Sequence, residues 1–221
     1  LTRFGFVNCY LVGESDGFTL VDTGMGSSSA ELILAAASEK GGRIRRILLT
    51  HAHVDHVGSV DALVKRIGAG VELISNARSL PLLQKPPDKS LKPDEANGTI
   101  KGGLPGIDAK PARLVAEGEM VGSLRVIDTP GHIPGHMSFL DERDGTLYAG
   151  DALTSMGDLR VSSDAPWYFP LPRFGTWNAQ IAVASAEKLL GYSMERFACG
   201  HGGVKGGGVA ALRAAIDLAK A

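Results

Sequence analysis

Residues 51–56 read His-Ala-His-Val-Asp-His, so three of the chain's six histidines and one aspartate fall on six consecutive positions. Side chains this polar and this close make poor strand or helix interior, which puts them at the end of an element. The run follows an apolar segment, Ile44 to Leu49, that reads as a buried strand ending in Thr50. Side chains two apart on an extended segment point the same way, so His51 and His53 can chelate one cation. Asp55 and His56 come after the chain turns and can serve a second cation nearby. Imidazole with carboxylate suits zinc first, with iron or manganese as alternatives.

The size and charge of the chain narrow its class. At 221 residues it can build one substantial core and is too short for two ordinary domains, so a single domain over 1–221 is expected. A formal net charge of −1 gives no bulk attraction to nucleic acid or to an anionic membrane. No apolar stretch approaches the length of a membrane span. No leader-like segment is visible, and the expected setting is the cytoplasm with a small-molecule substrate as partner. Cys9 and Cys199 are far apart and form no zinc-finger spacing, so two buried free thiols are expected.

Along the first half, Phe4 to Val12 is a strand candidate, Ser15-Asp16-Gly17 is turn chemistry, and Phe18 to Val21 is the return strand. Ser27 to Ser29 can cap a helix through Ile33 and Leu34 to about Ser38, which Gly41-Gly42 ends. Val60 to Ile67 reads as helix and Val71 to Ile74 as strand. Residues 80–112 hold six of the eleven prolines and several lysines, and read as a long loop or insertion. The core resumes at Arg113 to Glu117 and Leu124 to Ile127. A hairpin then joins Met137–Leu140 to Leu147–Ala149 through Asp144-Gly145. Residues 156–176 are irregular. Asn178 to Leu190 is a helix, Arg196 to Ala198 a short strand, and Val209 to Ala219 a final helix.

The remaining histidines recur at strand ends. His132 sits in Thr129-Pro130-Gly131-His132, Asp151 in Ala149-Gly150-Asp151, and His201 in Cys199-Gly200-His201. With Val21-Asp22-Thr23-Gly24 and the 51–56 run, these five motifs resemble the metallo-β-lactamase superfamily, in the family's order and over nearly the whole chain. The resemblance implies an α+β fold, a four-layer αββα sandwich of two mixed sheets with helices outside. It also implies two divalent ions. His51, His53 and His132 would hold one, Asp55, His56 and His201 the other, and Asp151 would bridge them. Asp22 matches the family's aspartate that orients a ligand histidine. His136 is not a ligand in the resemblance.

The chemistry so implied is metal-assisted hydrolysis of an activated carbonyl by a metal-bridging hydroxide, with Asp55 directing the attack. An aspartate at 151, where the commonest zinc β-lactamases use cysteine, resembles the glyoxalase II and acyl-homoserine-lactonase branches, hence a thioester or lactone substrate. Both branches' substrate residues match only partly. Arg160 matches glyoxalase II in kind, but Ser162 stands where that branch has tyrosine, and Thr154 where the lactonases do. A broad ester or β-lactam hydrolase and a metal-binding protein without turnover are the alternatives. The stretch Trp167-Tyr168-Phe169, with Phe174 and Trp177, holds five of the 13 aromatics. Trp167 and Tyr168, with Arg160, are the candidate substrate contacts, Tyr168 as a hydrogen-bond donor to the substrate carbonyl.

Overall fold

Short apolar runs punctuated by turn residues give this chain two separate mixed sheets. The computed structural model describes all 221 residues, in two units: Leu1–Asp88 with Gly103–Val115, and Lys89–Gly102 with Ala116–Ala221. None of its helices is long and apolar enough to cross a membrane.

In the first unit, β1 (Thr2–Arg3) and β2 (Val7–Asn8) form a small hairpin. Five further strands form one sheet in chain order: β3 (Tyr10–Glu14), β4 (Gly17–Val21), β5 (Ile44–Leu48), β6 (Glu72–Ser75) and β7 (Arg113–Leu114). β3 and β4 are antiparallel, and β4 to β7 run parallel. A parallel pair needs a crossover. Helix α1 (Ser27–Glu39) supplies the first, and the one-turn α2 (Val54–Val57) with α3 (Val60–Ile67) the second. α1 buries Ala30, Ile33 and Ala37, and α3 buries Val60 and Leu63, spacings of three and four that make one apolar stripe on each. Gly41, at φ +72°, ends α1 by returning its N–H to Ser38 O, while Gly42 N–H reaches Ala37 O.

Two local expectations fail in this unit. The strand expected over Phe4–Val12 is broken, because Phe4 and Gly5 turn the chain at φ +53° and +78° and leave Phe4 60% exposed. The serines expected to cap α1 lie inside its first turn. Gly26 is the capping residue, and Ser29 Oγ donates to Met25 O instead.

Within residues 80–112 the only regular element is α4 (Leu80–Leu83). The part belonging to the first unit is nevertheless tied down. Leu82, Leu83 and Ile107 are buried, and Asp61 on α3 accepts the backbone N–H groups of Asp108 and Ala109 at 2.9 Å, with Lys85 Nζ at 3.3 Å.

In the second unit a six-stranded sheet has the order β15-β14-β11-β10-β9-β8. These are β8 (Met120–Val121), β9 (Leu124–Asp128), β10 (Met137–Asp141), β11 (Thr146–Gly150), β14 (Arg196–Cys199) and β15 (Lys205–Gly206). All neighbours are antiparallel except β11 and β14. A small ribbon of β12 (Leu153–Thr154) and β13 (Arg160–Val161) and the short α5 (Leu171–Gly175) precede α6 (Ala179–Leu189). Asn178 caps α6 by accepting the Ile181 N–H. α6 and the final α7 (Gly208–Lys220) pack on this sheet. Ala182, Ala186, Leu189, Leu212, Ala215 and Ile216 join Ile127, Leu147 and Phe197 in one core.

Asp61 gives this fold a testable pH dependence. Burial raises the pKa of its carboxyl, but the Ala109 and Asp108 N–H groups and Lys85 outweigh that and hold it below the ordinary value. A folded pKa below the unfolded one (about 3.9) stabilises the protein above that pH, and the contribution is lost as pH falls through the folded pKa. Asp61→Asn is therefore expected to cost about 1 kcal/mol at pH 6, the carboxylate being partly exposed. The gap should close toward pH 3. Urea unfolding of both proteins across that range checks it, and a gap independent of pH contradicts it.

Candidate metal centre

In the first unit the donors hang from the ends of two adjacent parallel strands. Val21 of β4 is in register with Leu48 of β5, so the residues that follow each strand are neighbours. Asp22 takes a left-handed turn at φ +58°, a conformation that aspartate tolerates better than most residues. Its N–H bonds Leu48 O while its carboxylate reaches across to Thr50. Oδ1 accepts the Thr50 N–H at 2.8 Å, and Oδ2 accepts the Thr50 hydroxyl at 2.8 Å. Oδ2 also accepts His56 Nδ1–H at 2.7 Å.

These bonds decide the tautomers. The Thr50 hydroxyl gives its hydrogen to Asp22, so its oxygen accepts from His51 Nδ1–H at 2.9 Å. His51 and His56 thus both carry hydrogen on Nδ1 and present a lone pair at Nε2. His51 Nε2 lies 3.0 Å from His53 Nδ1. An ion with metal–nitrogen bonds of roughly 2.0–2.1 Å in tetrahedral geometry holds neighbouring ligand nitrogens about 3.3 Å apart. The pair therefore has the spacing of two ligands on one cation. The His51 and His56 ring centroids are 4.0 Å apart, and His56 Nε2 is 3.7 Å from Asp55 Oδ2. All three imidazoles are buried, and Asp55 is partly exposed.

The second unit builds a matching cluster. Asp151 Oδ2 lies 3.5 Å from His132 Nε2 and 3.2 Å from His201 Nε2, with all three residues buried. One carboxylate oxygen thus lies within 3.5 Å of two imidazole nitrogens. His132 Nδ1 is 3.3 Å from Thr176 Oγ1, whose hydroxyl donates to Pro172 O at 2.8 Å, so Nδ1 carries the hydrogen and Nε2 the lone pair. His201 O accepts both Ser155 N–H and Ser155 Oγ–H at 3.0 and 3.1 Å, and the Phe169 ring packs on its imidazole at 5.2 Å.

The other expected residues fall as follows. Arg160 pairs with Asp164 at 2.7 Å. Trp167 is 88% exposed, and the Tyr168 hydroxyl donates to Met156 O at 2.9 Å. With Arg173 these three line a recess of about 370 Å³. Cys9 and Cys199 are both buried and form no disulfide, and burial pushes the Cys199 thiol up to about 12. Sequence reasoning gave no role to Thr176. Its link to His132 spans 44 positions, and nothing local announces it.

The chain matches the description "Metallo-beta-lactamase superfamily" over residues 2–201. It is 45% identical over 215 residues to the uncharacterized protein YobT of Bacillus subtilis (strain 168), covering 97% of this chain and 91% of that one. It is 30% identical over 158 residues to the hydroxyacylglutathione hydrolase GloC of Haemophilus influenzae, covering 68% of each. Among solved structures it is similar to TTHA1623 in a di-iron-bound form, with 27% identity, a TM-score of 0.67, and coverage of 93% and 92%.

The ties from Asp22 set an expectation for metal affinity. Removing a partner that orients a ligand imidazole costs about 10–100-fold in binding. Asp22→Ala, which frees both His56 and Thr50, is expected to weaken Zn²⁺ or Co²⁺ binding by that factor, measured by competition with a chromophoric chelator. Asp22→Asn, which keeps an oxygen acceptor, should lose less. Wild-type affinity in Asp22→Ala would show that the carboxylate orients nothing.

Proposed function

Because this chain belongs to the metallo-β-lactamase superfamily, a group made up mostly of metal-dependent hydrolases, we propose that it hydrolyses activated carbonyl compounds, thioesters or lactones, with two divalent ions. The observation that carries this is the committed tautomers. Buried imidazoles whose Nδ1 hydrogens are spent on Asp22, Thr50 and Thr176 have lone pairs at Nε2 suited to cations. On this reading residues 1–221 act as one catalytic domain. His51, His53 and His132 hold one ion, Asp55, His56 and His201 the other, and Asp151 joins them. Zinc is the first choice. The di-iron form of the similar TTHA1623 makes iron the leading alternative, with manganese behind it.

Two such ions, when bound, supply a water activated at neutral pH and positive charge for a developing oxyanion. The remaining work falls to the side chains. Asp55 is the ligand with the greatest access to solvent, and it accepts a hydrogen bond from the attacking water and sets its direction. Asp151, fixed between His132 and His201, keeps the two ligand sets in one geometry. The exposed Trp167 covers the apolar part of the substrate, and Arg160 meets an acidic group on it. Tyr168 reaches a substrate carbonyl by giving up its bond to Met156 O. Support for a thioester comes from the similarity to a hydroxyacylglutathione hydrolase.

A panel of chromogenic thioesters, lactones and β-lactams, with and without chelator, distinguishes the substrate classes. Turnover of none by metal-loaded protein favours a binding protein over an enzyme. His53→Ala and Asp151→Ala are each expected to lower kcat at least about 10³-fold and to reduce bound metal in the same samples. An Asp151→Ala protein with full activity and no metal overturns the proposal.

A further inference from the structure

His136 is the one histidine outside the proposed ligand set, and it is fully buried. Both of its ring nitrogens are spent inside the second unit. Nε2 accepts the backbone N–H of Asp151 at 3.0 Å, which puts the ring hydrogen on Nδ1. Nδ1–H donates to Thr129 Oγ1 at 2.9 Å. Thr129 Oγ1 donates to Ser138 Oγ at 2.8 Å, and Ser138 Oγ donates to Ala149 O at 3.2 Å. Each group accepts once and donates once, so the four bonds run in one direction, an arrangement in which hydrogen bonds reinforce one another. The series starts at the N–H of Asp151 and ends at the carbonyl of Ala149, two residues earlier. It therefore clamps the turn Ala149-Gly150-Asp151 from both sides.

We propose that His136 is a positioning residue for Asp151. This rests on the two-metal reading above, because what His136 sets is the place of the carboxylate lying between His132 and His201. The side chain must accept on one side and donate on the other across the width of a ring, while filling a buried space. Neutral imidazole does this. A leucine fills the space and does neither. A glutamine keeps the acceptor near the position of Nε2 and loses the donor toward Thr129.

The test uses the whole protein loaded with Co²⁺, reading affinity by chelator competition and ligand geometry by the visible spectrum. His136→Leu is expected to bind Co²⁺ about 10–100-fold more weakly, with an altered spectrum and a larger loss in kcat than change in KM. His136→Gln should recover most of the affinity, and Thr129→Val should fall between. A folded His136→Leu with wild-type affinity and spectrum overturns the proposal. If that variant does not fold, Thr129→Val decides, and an unchanged affinity and spectrum there overturns it equally. Wild-type protein that binds no Co²⁺ defeats the two-metal reading itself, a result distinct from either.

Discussion

The direction in which each buried imidazole carries its hydrogen is the constraint that the surrounding structure serves. A histidine ring can rotate and exchange tautomers, and either freedom would spoil a metal ligand. Here the Nδ1 hydrogens of His51, His56 and His132 are claimed by oxygens that are themselves held in place. Asp22 is pinned by the Thr50 N–H and hydroxyl, and Thr176 by Pro172 O. Burying these polar groups costs free energy that the completed hydrogen bonds offset. The first link depends on sheet register. Asp22 reaches Thr50 because Val21 lies opposite Leu48, and a slip of one residue between β4 and β5 would turn the carboxylate to the other face.

In the second unit backbone proximity does the same work. A Cβ on Gly131 would come within 2.3 Å of the Ala182 backbone, and one on Gly202 within 2.3 Å of Ser155 C. Both glycines have positive φ, so other residues are excluded by conformation as well as by space. The contact at Gly131 lets α6 sit directly beside the loop bearing His132, and the loop's carbonyls accept the N–H groups of Trp177 and Asn178. Gly202 lets Ser155 close on the carbonyl of His201. The helix that fills the core is thus also the stop against which a donor is set. Stability and site geometry cannot be tuned separately there.

Much of this was legible in the residues alone. The metallo-β-lactamase fold, with mixed sheets flanked by helices, followed from motifs that each close a strand. Strong apolar periodicity placed α3 at Val60–Ile67 and α6 within a residue at each end. Asp22 was expected to orient a ligand histidine and does contact His56. What escaped were features whose cause is not local. Phe4–Val12 has the composition of a strand, but a turn at Phe4-Gly5 folds it on itself. Serines at 27–29 look like caps, but the helix begins after a glycine whose backbone suits the entry. Thr176 and Thr129 are ordinary threonines until the fold brings histidines to them.

The same distinction explains why the reaction class is easier to read than the substrate. Each candidate metal ligand sits on the segment that follows a strand, Asp55 and His56 in the one-turn α2 after β5. Its identity is therefore coupled to register, burial and backbone conformation, and few other residues satisfy all three. The candidate substrate side chains are built differently. Trp167, Tyr168 and Phe174 have 88%, 55% and 66% of their surface exposed, while Phe169 beside them is buried against the ring of His201. Nothing in the core specifies what stands at the exposed positions, so relatives can exchange them without disturbing the donors. A chain can then keep a superfamily's hydrolytic groups while departing from its branches at Thr154 and Ser162. The recess lined by Arg160, Trp167, Tyr168 and Arg173 is built from such positions, and nothing in the ligand motifs fixes its lining.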